Sequence, residues 1–297
     1  MFNKLFGQFH KNDNMSAEDY FNSGEAFAEK EQWDNAIAEY TKAIKLDSLN
    51  TEYYRQRARA YMFIHKNDES LLDCTRAINI EASAANYVYR GITYFYMEQY
   101  EKAVDDYTLA IQKEPNSAYY YSRGDCYLRL GDCVNAILDF SKAIDMGSDI
   151  NEAYYFLRST AYEKMSQYEN ALKDATKAIE LCPCNHVYHA YRAWYYFNLD
   201  EYDNALADIN KAIDELKAIS SENYVLRAKI YAKKNDSDNA LLNYGYAIDY
   251  AYSIMDLTIS KYYTCRGDYY KSLGCDNLAE TDYIKAKEHS INEDSEQ

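Results

Sequence analysis

The sequence predicts an all-α chain, a solenoid of about eight tandem helix-turn-helix units. Three observations carry this. The Ala of a closing Ala-Ile step recurs at Ala43, Ala77, Ala110, Ala143, Ala178, Ala212 and Ala247, with Ala286 in the last unit. Between these anchors, small and aromatic residues return at helical spacing. Pro (2) and Gly (9) are scarce among 297 residues, which argues against a β-rich or loop-rich fold.

The first helix of each unit is read from three columns. A small residue stands at Gly24, Ala58, Gly91, Gly124, Ser159, Ala193, Ala228 and Gly267. Three residues later comes an aromatic: Phe27, Tyr61, Tyr94, Tyr127, Tyr162, Tyr196, Tyr231 or Tyr270. Four residues before the small one stands Tyr20, Tyr54, Tyr87, Tyr120, Tyr155, His189, Tyr224 or Tyr263. Offsets of −4, 0 and +3 keep all three on one helix face. This repeated use of one residue type accounts for much of the Tyr content of 35.

The second helix opens near another small residue, Ala36, Ser70, Ala103, Ala136, Ala171, Ala205, Ala240 or Ala279. Turn-like stretches such as Leu130-Gly131-Asp132 and Asn235-Asp236-Ser237 separate the two helices. Small residues at fixed positions let helices approach closely, and large aromatics fill the space beside them.

The expected boundaries are an N-terminal segment, 1–16, and a repeat array over 17–290. The units are 17–50, 51–83, 84–116, 117–151, 152–185, 186–220, 221–259 and 260–290, followed by a polar tail, 291–297. The last interval is longer than the others, so Tyr250–Ser260 carries an insertion or a longer second helix. Lys287 replaces the Ile of the other units, as a solvent-facing end requires. Phe2, Leu5, Phe6 and Phe9 space as one apolar face; a cap on the first unit, insertion into a groove and reversible membrane contact compete for it.

This pattern resembles the tetratricopeptide repeat, whose 34-residue signature runs W-x2-L-G-x2-Y, A-x3-F, A, P. Here Tyr stands for the first Trp, Arg for Leu, and the closing Pro survives only at Pro115 and Pro183. The resemblance covers roughly 17–290. It implies a right-handed α-solenoid whose first helices (A) line a concave groove, with the second helices (B) behind them. It also implies a protein-interaction scaffold or adaptor rather than an enzyme.

A charge pattern runs through the units. Arg57, Arg90, Arg123, Arg158, Arg192, Arg227 and Arg266 each precede the small residue of helix A. Sixteen residues later stand Asp73, Asp106, Asp139, Asp174, Asp208, Asn243 and Asp282. Co-occurrence favours structural ion pairs between helices over an Arg ladder for acidic ligands.

Carried over from the family, the groove positions are the second, fifth, ninth, twelfth and thirteenth of each unit. They include Met62, Phe63, Val88, Ile92, Phe95, Tyr96, Tyr121, Leu128, Phe156, Trp194 and Phe197. Of these, Phe63, Val88, Ile92, Phe95, Tyr96, Tyr121, Phe156, Trp194 and Phe197 are the candidate partner contacts; packing between neighbouring A helices is the competing role. Outer units are more charged, with Glu18, Glu25 and Glu29 at one end and Lys229, Lys233, Lys261 and Lys271 at the other. One subtype of the family clamps chaperone C-terminal carboxylates with Lys and Asn. Phe21 and Glu25 occupy the matching places here, and Arg55 and Arg59 lack Asn partners, which disfavours that ligand.

Composition narrows the partners. With 48 acidic against 32 basic residues the net charge is −16, so neutral or basic protein segments fit better than nucleic acid or anionic membrane. No apolar run is long enough to span a bilayer. Seven scattered Cys and no secretory signal point to the cytoplasm. No catalytic motif is present and no cofactor is expected. Cys182, Cys184, His186 and His189 offer soft ligands, but at a C-x-C-x-H-x2-H spacing unlike usual zinc sites; metal or redox binding there is an alternative function. Cys126 and Cys133 read as small core residues. Self-assembly through the terminal helices is the other alternative.

Overall fold

The computed structural model describes residues 15–147 and 151–293. The expected N-terminal face of Phe2, Leu5, Phe6 and Phe9 lies outside them, as does most of the tail. Sixteen helices and no strand occur among the described residues. The chain divides into two compact units, 1–149 and 150–297.

The first unit holds four antiparallel hairpins: α1 (Ala17–Ala28) with α2 (Trp33–Leu46), α3 (Thr51–Phe63) with α4 (Asn67–Ile80), α5 (Ala84–Tyr96) with α6 (Tyr100–Lys113), and α7 (Ser117–Arg129) with α8 (Cys133–Met146). The second holds α9 (Glu152–Lys164) with α10 (Tyr168–Leu181), α11 (His186–Asn198) with α12 (Tyr202–Asn210), α13 (Ser221–Lys233) with α14 (Ser237–Ser253), and α15 (Ile259–Ser272) with α16 (Asp276–Glu293). Two departures are local. α12 relaxes into a π-helical turn, Lys211–Glu215. α14 runs to 17 residues and a loop precedes α15, which absorbs the long last interval.

Local chemistry sets each hairpin's ends. The A helices open on Ser16, Asn50, Ser83, Asn116, Asn151, Asn185 and Ser220, whose side chains accept from a backbone N–H in the first turn. Each A helix stops at one residue with positive φ: Glu31, His65, Glu98, Gly131, Ser166, Asp200, Asn235 or Gly274. The next N–H reaches back to the carbonyl of the column aromatic, as in Gln99 to Tyr94 at 2.9 Å and Asp132 to Tyr127 at 2.8 Å. This left-handed cap satisfies the helix end and reverses the chain within three residues.

The cores match small residues on one helix with large ones on the other. A Cβ on Gly24 would lie 2.5 Å from the Tyr40 ring, and one on Gly124 would lie 2.9 Å from Phe140. Gly91 faces Tyr107 and Gly267 faces Tyr283 in the same way. Tyr40 and Phe140 are fully buried, as are the column alanines Ala36, Ala103, Ala136, Ala171, Ala205 and Ala240. Cys126 is buried too, whereas Cys133 is half-buried.

Candidate functional site

The Arg and Asp columns meet within each hairpin. Arg57 Nε donates to Asp73 at 2.7 Å, and Arg90, Arg158, Arg192 and Arg266 bond Asp106, Asp174, Asp208 and Asp282 at 2.6–2.8 Å through the same nitrogen. Arg123 grips Asp139 with Nε at 2.7 Å and Nη2 at 2.8 Å. The carboxylates are buried. Their hydrogen bonds hold the Arg90, Arg123, Arg192 and Arg266 guanidiniums above the ordinary value, against the opposing pull of burial.

Two tyrosine columns close over the same guanidiniums. Arg123 lies 5.7 Å from the Tyr120 ring and 5.9 Å from Tyr127; Arg90 lies 5.8 Å from Tyr87 and 5.9 Å from Tyr94. Arg57, Arg90, Arg123, Arg158 and Arg266 are each paired along the edge and flanked by two rings, whereas Arg192 and Arg227 have one ring each, an arrangement of cation–π contacts around an ion pair. With its edge spent and rings against its faces, the Arg column has little left to offer an acidic ligand.

A third partner ties adjacent hairpins together. Arg57 Nη1 donates to Thr41 Oγ1 of the preceding B helix at 2.8 Å; Arg123 does so to Thr108 at 2.9 Å and Arg192 to Thr176 at 3.4 Å. Sequence reasoning missed this column, although its signal is visible: a hydroxyl two residues before the closing Ala. In the seventh unit, Asn243 takes the Asp place. Arg227 Nε donates to Asn243 Oδ1 at 2.7 Å, and its Nη1 reaches Asn210 at 3.2 Å and Asp214 at 3.0 Å. Asp214 stands in the π-helical turn, which thereby supplies the missing carboxylate.

The candidate contacts on the A helices take mixed roles. Phe63 stacks on Trp33 at 4.1 Å. Val88, Ile92 and Phe95 are half-buried against the core of Ala103, Tyr107 and Cys126. Tyr96 is exposed and edge-on to Phe95. Tyr121 packs on Phe140 at 6.0 Å, and Phe156 against Tyr188 and Tyr191 at 4.8 and 5.0 Å. Met62 Sδ lies 3.6 Å from Thr93 Oγ1, and Leu128 is buried. Phe63 and Phe156 thus touch a neighbouring hairpin and Tyr121 its own, while Phe63 and Tyr96 stay more than half exposed.

Trp194 is different. In the second unit the A helices α9, α11, α13 and α15 enclose a cleft of about 360 Å³. Glu163, Ala190, Tyr191, Trp194, Glu222, Asn223, Val225, Leu226, Lys229, Lys261, Tyr262 and Cys265 line it. This size suits several side chains of a bound segment. Trp194 Nε1 donates to Glu163 Oε1 at 3.0 Å, and Phe197 stacks beside Trp194 at 5.8 Å. Burial raises the Glu163 carboxyl above its ordinary value, only partly offset by Trp194 and Lys164. Tyr262 donates to Glu222 Oε1 at 2.5 Å; burial and that bond push its hydroxyl up to about 12. Burial also raises the Cys265 thiol, with Lys229 and Lys261 pulling the other way.

The family's groove positions reach Glu163, Ala190, Trp194, Glu222, Val225, Lys229 and Lys261, but a choice of apolar partner contacts passes over the four charged ones. Tyr191, Leu226, Tyr262 and Cys265 fall off those positions; only the packing of successive A helices brings them to the cleft. Arg55, by contrast, is spent internally, on Asn86 at 2.7 Å, on Thr51 at 3.2 Å and on Glu52.

The four soft ligands Cys182, Cys184, His186 and His189 are not gathered into a metal-ligand cluster among the described residues. His189 is buried, with Nδ1 3.2 Å from Asp208 Oδ1 and Nε2 3.0 Å from the Pro183 carbonyl. The turn at Pro183 and the start of α11 at His186 separate the four side chains, and Cys184 is exposed. Among the described residues no three His, Cys, Asp or Glu side chains are placed to share an ion. Nor is any described helix long and apolar enough to cross a membrane.

Comparison with known proteins agrees with this architecture. Family models described as TPR repeat and tetratricopeptide repeat match residues 24–62, 90–149 and 152–183. The Translocon at the outer membrane of chloroplasts 64 of Pisum sativum is 39% identical over 67 residues, 23% of this chain and 11% of its own length. The Hsp70-Hsp90 organizing protein of Triticum aestivum is 38% identical over 56 residues, 19% of this chain and 10% of its own. The chain thus spans about a tenth of the length of these relatives. Among solved structures, a tetratricopeptide repeat protein from Parabacteroides merdae superposes with a TM-score of 0.61 at 20% identity, covering 85% of this chain and 99% of its own. The C-terminal part of a TPR repeat-containing protein from Cytophaga hutchinsonii gives 0.63 at 18% identity, covering 77% and 94%. Repeat columns, hairpin geometry and these matches lead to one assignment: the chain is a tetratricopeptide repeat protein.

Proposed function

We propose that this chain is a non-enzymatic interaction scaffold that holds a segment of a partner protein against the A helices of its second unit. The observation that carries this is the cleft of about 360 Å³, whose lining residues all stand on A helices and combine an apolar floor with a few polar groups. Trp194 and Tyr191 are aromatic anchors of the kind that dominate binding energy. The net charge of −16 favours neutral or basic partners through steering. Seven cysteines without a disulfide fit a reducing compartment such as the cytoplasm.

Some relatives carry chaperone-related names, which makes a chaperone tail a competing ligand. The internal engagement of Arg55 counts against a carboxylate clamp in the second repeat. A second reading, self-association through the end of the array, draws on the exposure of Leu278 and Ile284 on α16. Light scattering separates it: a 34.7 kDa particle across a concentration series removes it.

The test is selection from a phage-displayed library of random 12-residue peptides on the full chain. Enriched peptides, made synthetically, should lose at least tenfold in affinity for Trp194→Ala and Tyr191→Ala variants that keep the helical circular-dichroism spectrum. Absence of enrichment, or unchanged affinity in both variants, rejects the cleft as the binding site.

A further inference from the structure

Glu163 is an anomaly in the cleft. It is half-buried, and the one hydrogen bond of its side chain among the described residues comes from Trp194 Nε1, at 3.0 Å to Oε1. That bond holds Oε1 at the wall, and among the described residues no donor reaches Oε2. The carboxylates of the Arg column have a guanidinium each; Glu163 forms no ion pair among the described residues. Lys164, beside it in sequence, relieves the charge only in part, and burial dominates. A half-buried carboxylate without a cation costs stability unless something supplies one.

The surroundings say what would supply it. Tyr191 and Trp194 stand on α11 at the same cleft, and aromatic faces beside a carboxylate suit a guanidinium or ammonium. Ala190, Val225 and Leu226 form an apolar floor that can take the methylene stem of a long side chain. Lys229 and Lys261 lie on α13 and α15, so a second cation farther along would be repelled. The chain's negative charge attracts a basic segment from a distance.

We propose that Glu163, framed by Trp194 and Tyr191, receives the cationic head of a single Arg or Lys side chain on the partner segment. Apolar residues next to that side chain lie over Ala190, Val225 and Leu226. This rests on the cleft being the binding site, and it adds the chemistry that selects the partner. Glu163 acts here as a specificity residue, and its charge is what the partner reads.

The same 12-residue phage library tests it, selected in parallel on the full wild-type chain and on Glu163→Gln, which keeps the side-chain shape. Wild-type selection should enrich peptides sharing one Lys or Arg, and the Glu163→Gln selection should lose that shared residue. For a wild-type-selected peptide, replacing its basic residue by norleucine should weaken binding to wild type about tenfold or more. The same replacement should change binding to Glu163→Gln less than threefold. Peptides that need Trp194 but share no basic residue, or that share an acidic one directed at Lys229 and Lys261, overturn the Glu163 assignment and leave the cleft standing. Equal losses in the two proteins also overturn it. A selection that enriches nothing, or nothing sensitive to Trp194→Ala, rejects the cleft itself and the Glu163 assignment with it.

Discussion

Arg123 on α7 and Asp139 on α8 form a two-bond pair, 2.7 Å through Nε and 2.8 Å through Nη2, in which the carboxylate is buried. Thr108 takes the remaining reach of the guanidinium at 2.9 Å, so one side chain joins three helices in two hairpins. Removing one member strands a buried charge. Arg123→Ala should therefore cost about 3–5 kcal/mol. Asp139→Asn keeps an acceptor but removes the charge, and Arg123 lacks, among the described residues, the stand-in carboxylate that Asp214 gives Arg227 beside Asn243, so it too should destabilise. Urea unfolding of both variants and of their double mutant measures the coupling, and additive losses would refute the pair.

Overpacking at a glycine is the second expectation. A Cβ at Gly124 would meet two carbons of the buried Phe140 ring at 2.9 and 3.0 Å. The better helix propensity of Ala offsets part of the strain, so Gly124→Ala should cost about 1–2 kcal/mol. Combining it with Phe140→Leu should cost less than the sum of the single changes.

The hairpin turns make the opposite prediction. Glu98 holds φ of 57° and His65 of 58°, where Gly131 and Gly274 occupy the same place in other hairpins. A side chain in this region is strained, while Gly adds freedom to the unfolded chain. Glu98→Gly should stabilise by about 0.5–1 kcal/mol, read as a higher urea midpoint at unchanged slope.

Burial pushes the thiols of Cys74 and Cys126 from 9.0 up to about 12. The native state thus favours the neutral thiol. The stability this contributes is full below pH 9 and is lost as pH rises toward 12. In the folded protein at pH 8, an aromatic disulfide reagent should label exposed Cys184 quickly and leave Cys74 and Cys126 unlabelled until unfolding.

Glu163 gives a pH signature in stability as well. Its carboxyl lies above its ordinary value because burial disfavours the charge. The native state therefore binds that proton more tightly than the unfolded chain. Stability is retained below the ordinary carboxyl range and declines as pH rises through the native value. Glu163→Gln should be more stable than wild type at pH 7, with the gap closing in acid. A variant that is less stable at pH 7 would mean that an internal cation already serves Glu163.

The sequence by itself determined the hairpins. The small and aromatic columns recur at helical spacing and the turn stretches separate them, so spacing along the chain records the hairpins directly. The co-occurring Arg and Asp columns pointed to ion pairs in the same or the adjacent hairpin, and the structure places them within one hairpin. Tertiary structure decided the rest. The hydroxyl column at Thr41, Thr108 and Thr176 gains its meaning only when the next hairpin brings an Arg beside it. The aromatic candidates on the A helices split: Phe95, Tyr121 and Phe156 are half-buried against other side chains, while Phe63 and Tyr96 stay exposed. The cleft draws Glu163 from α9, Tyr191 and Trp194 from α11, Leu226 from α13 and Tyr262 from α15. The groove positions of each repeat foretell more than half of the lining, but Tyr191, Leu226, Tyr262 and Cys265 join it only because successive A helices pack side by side.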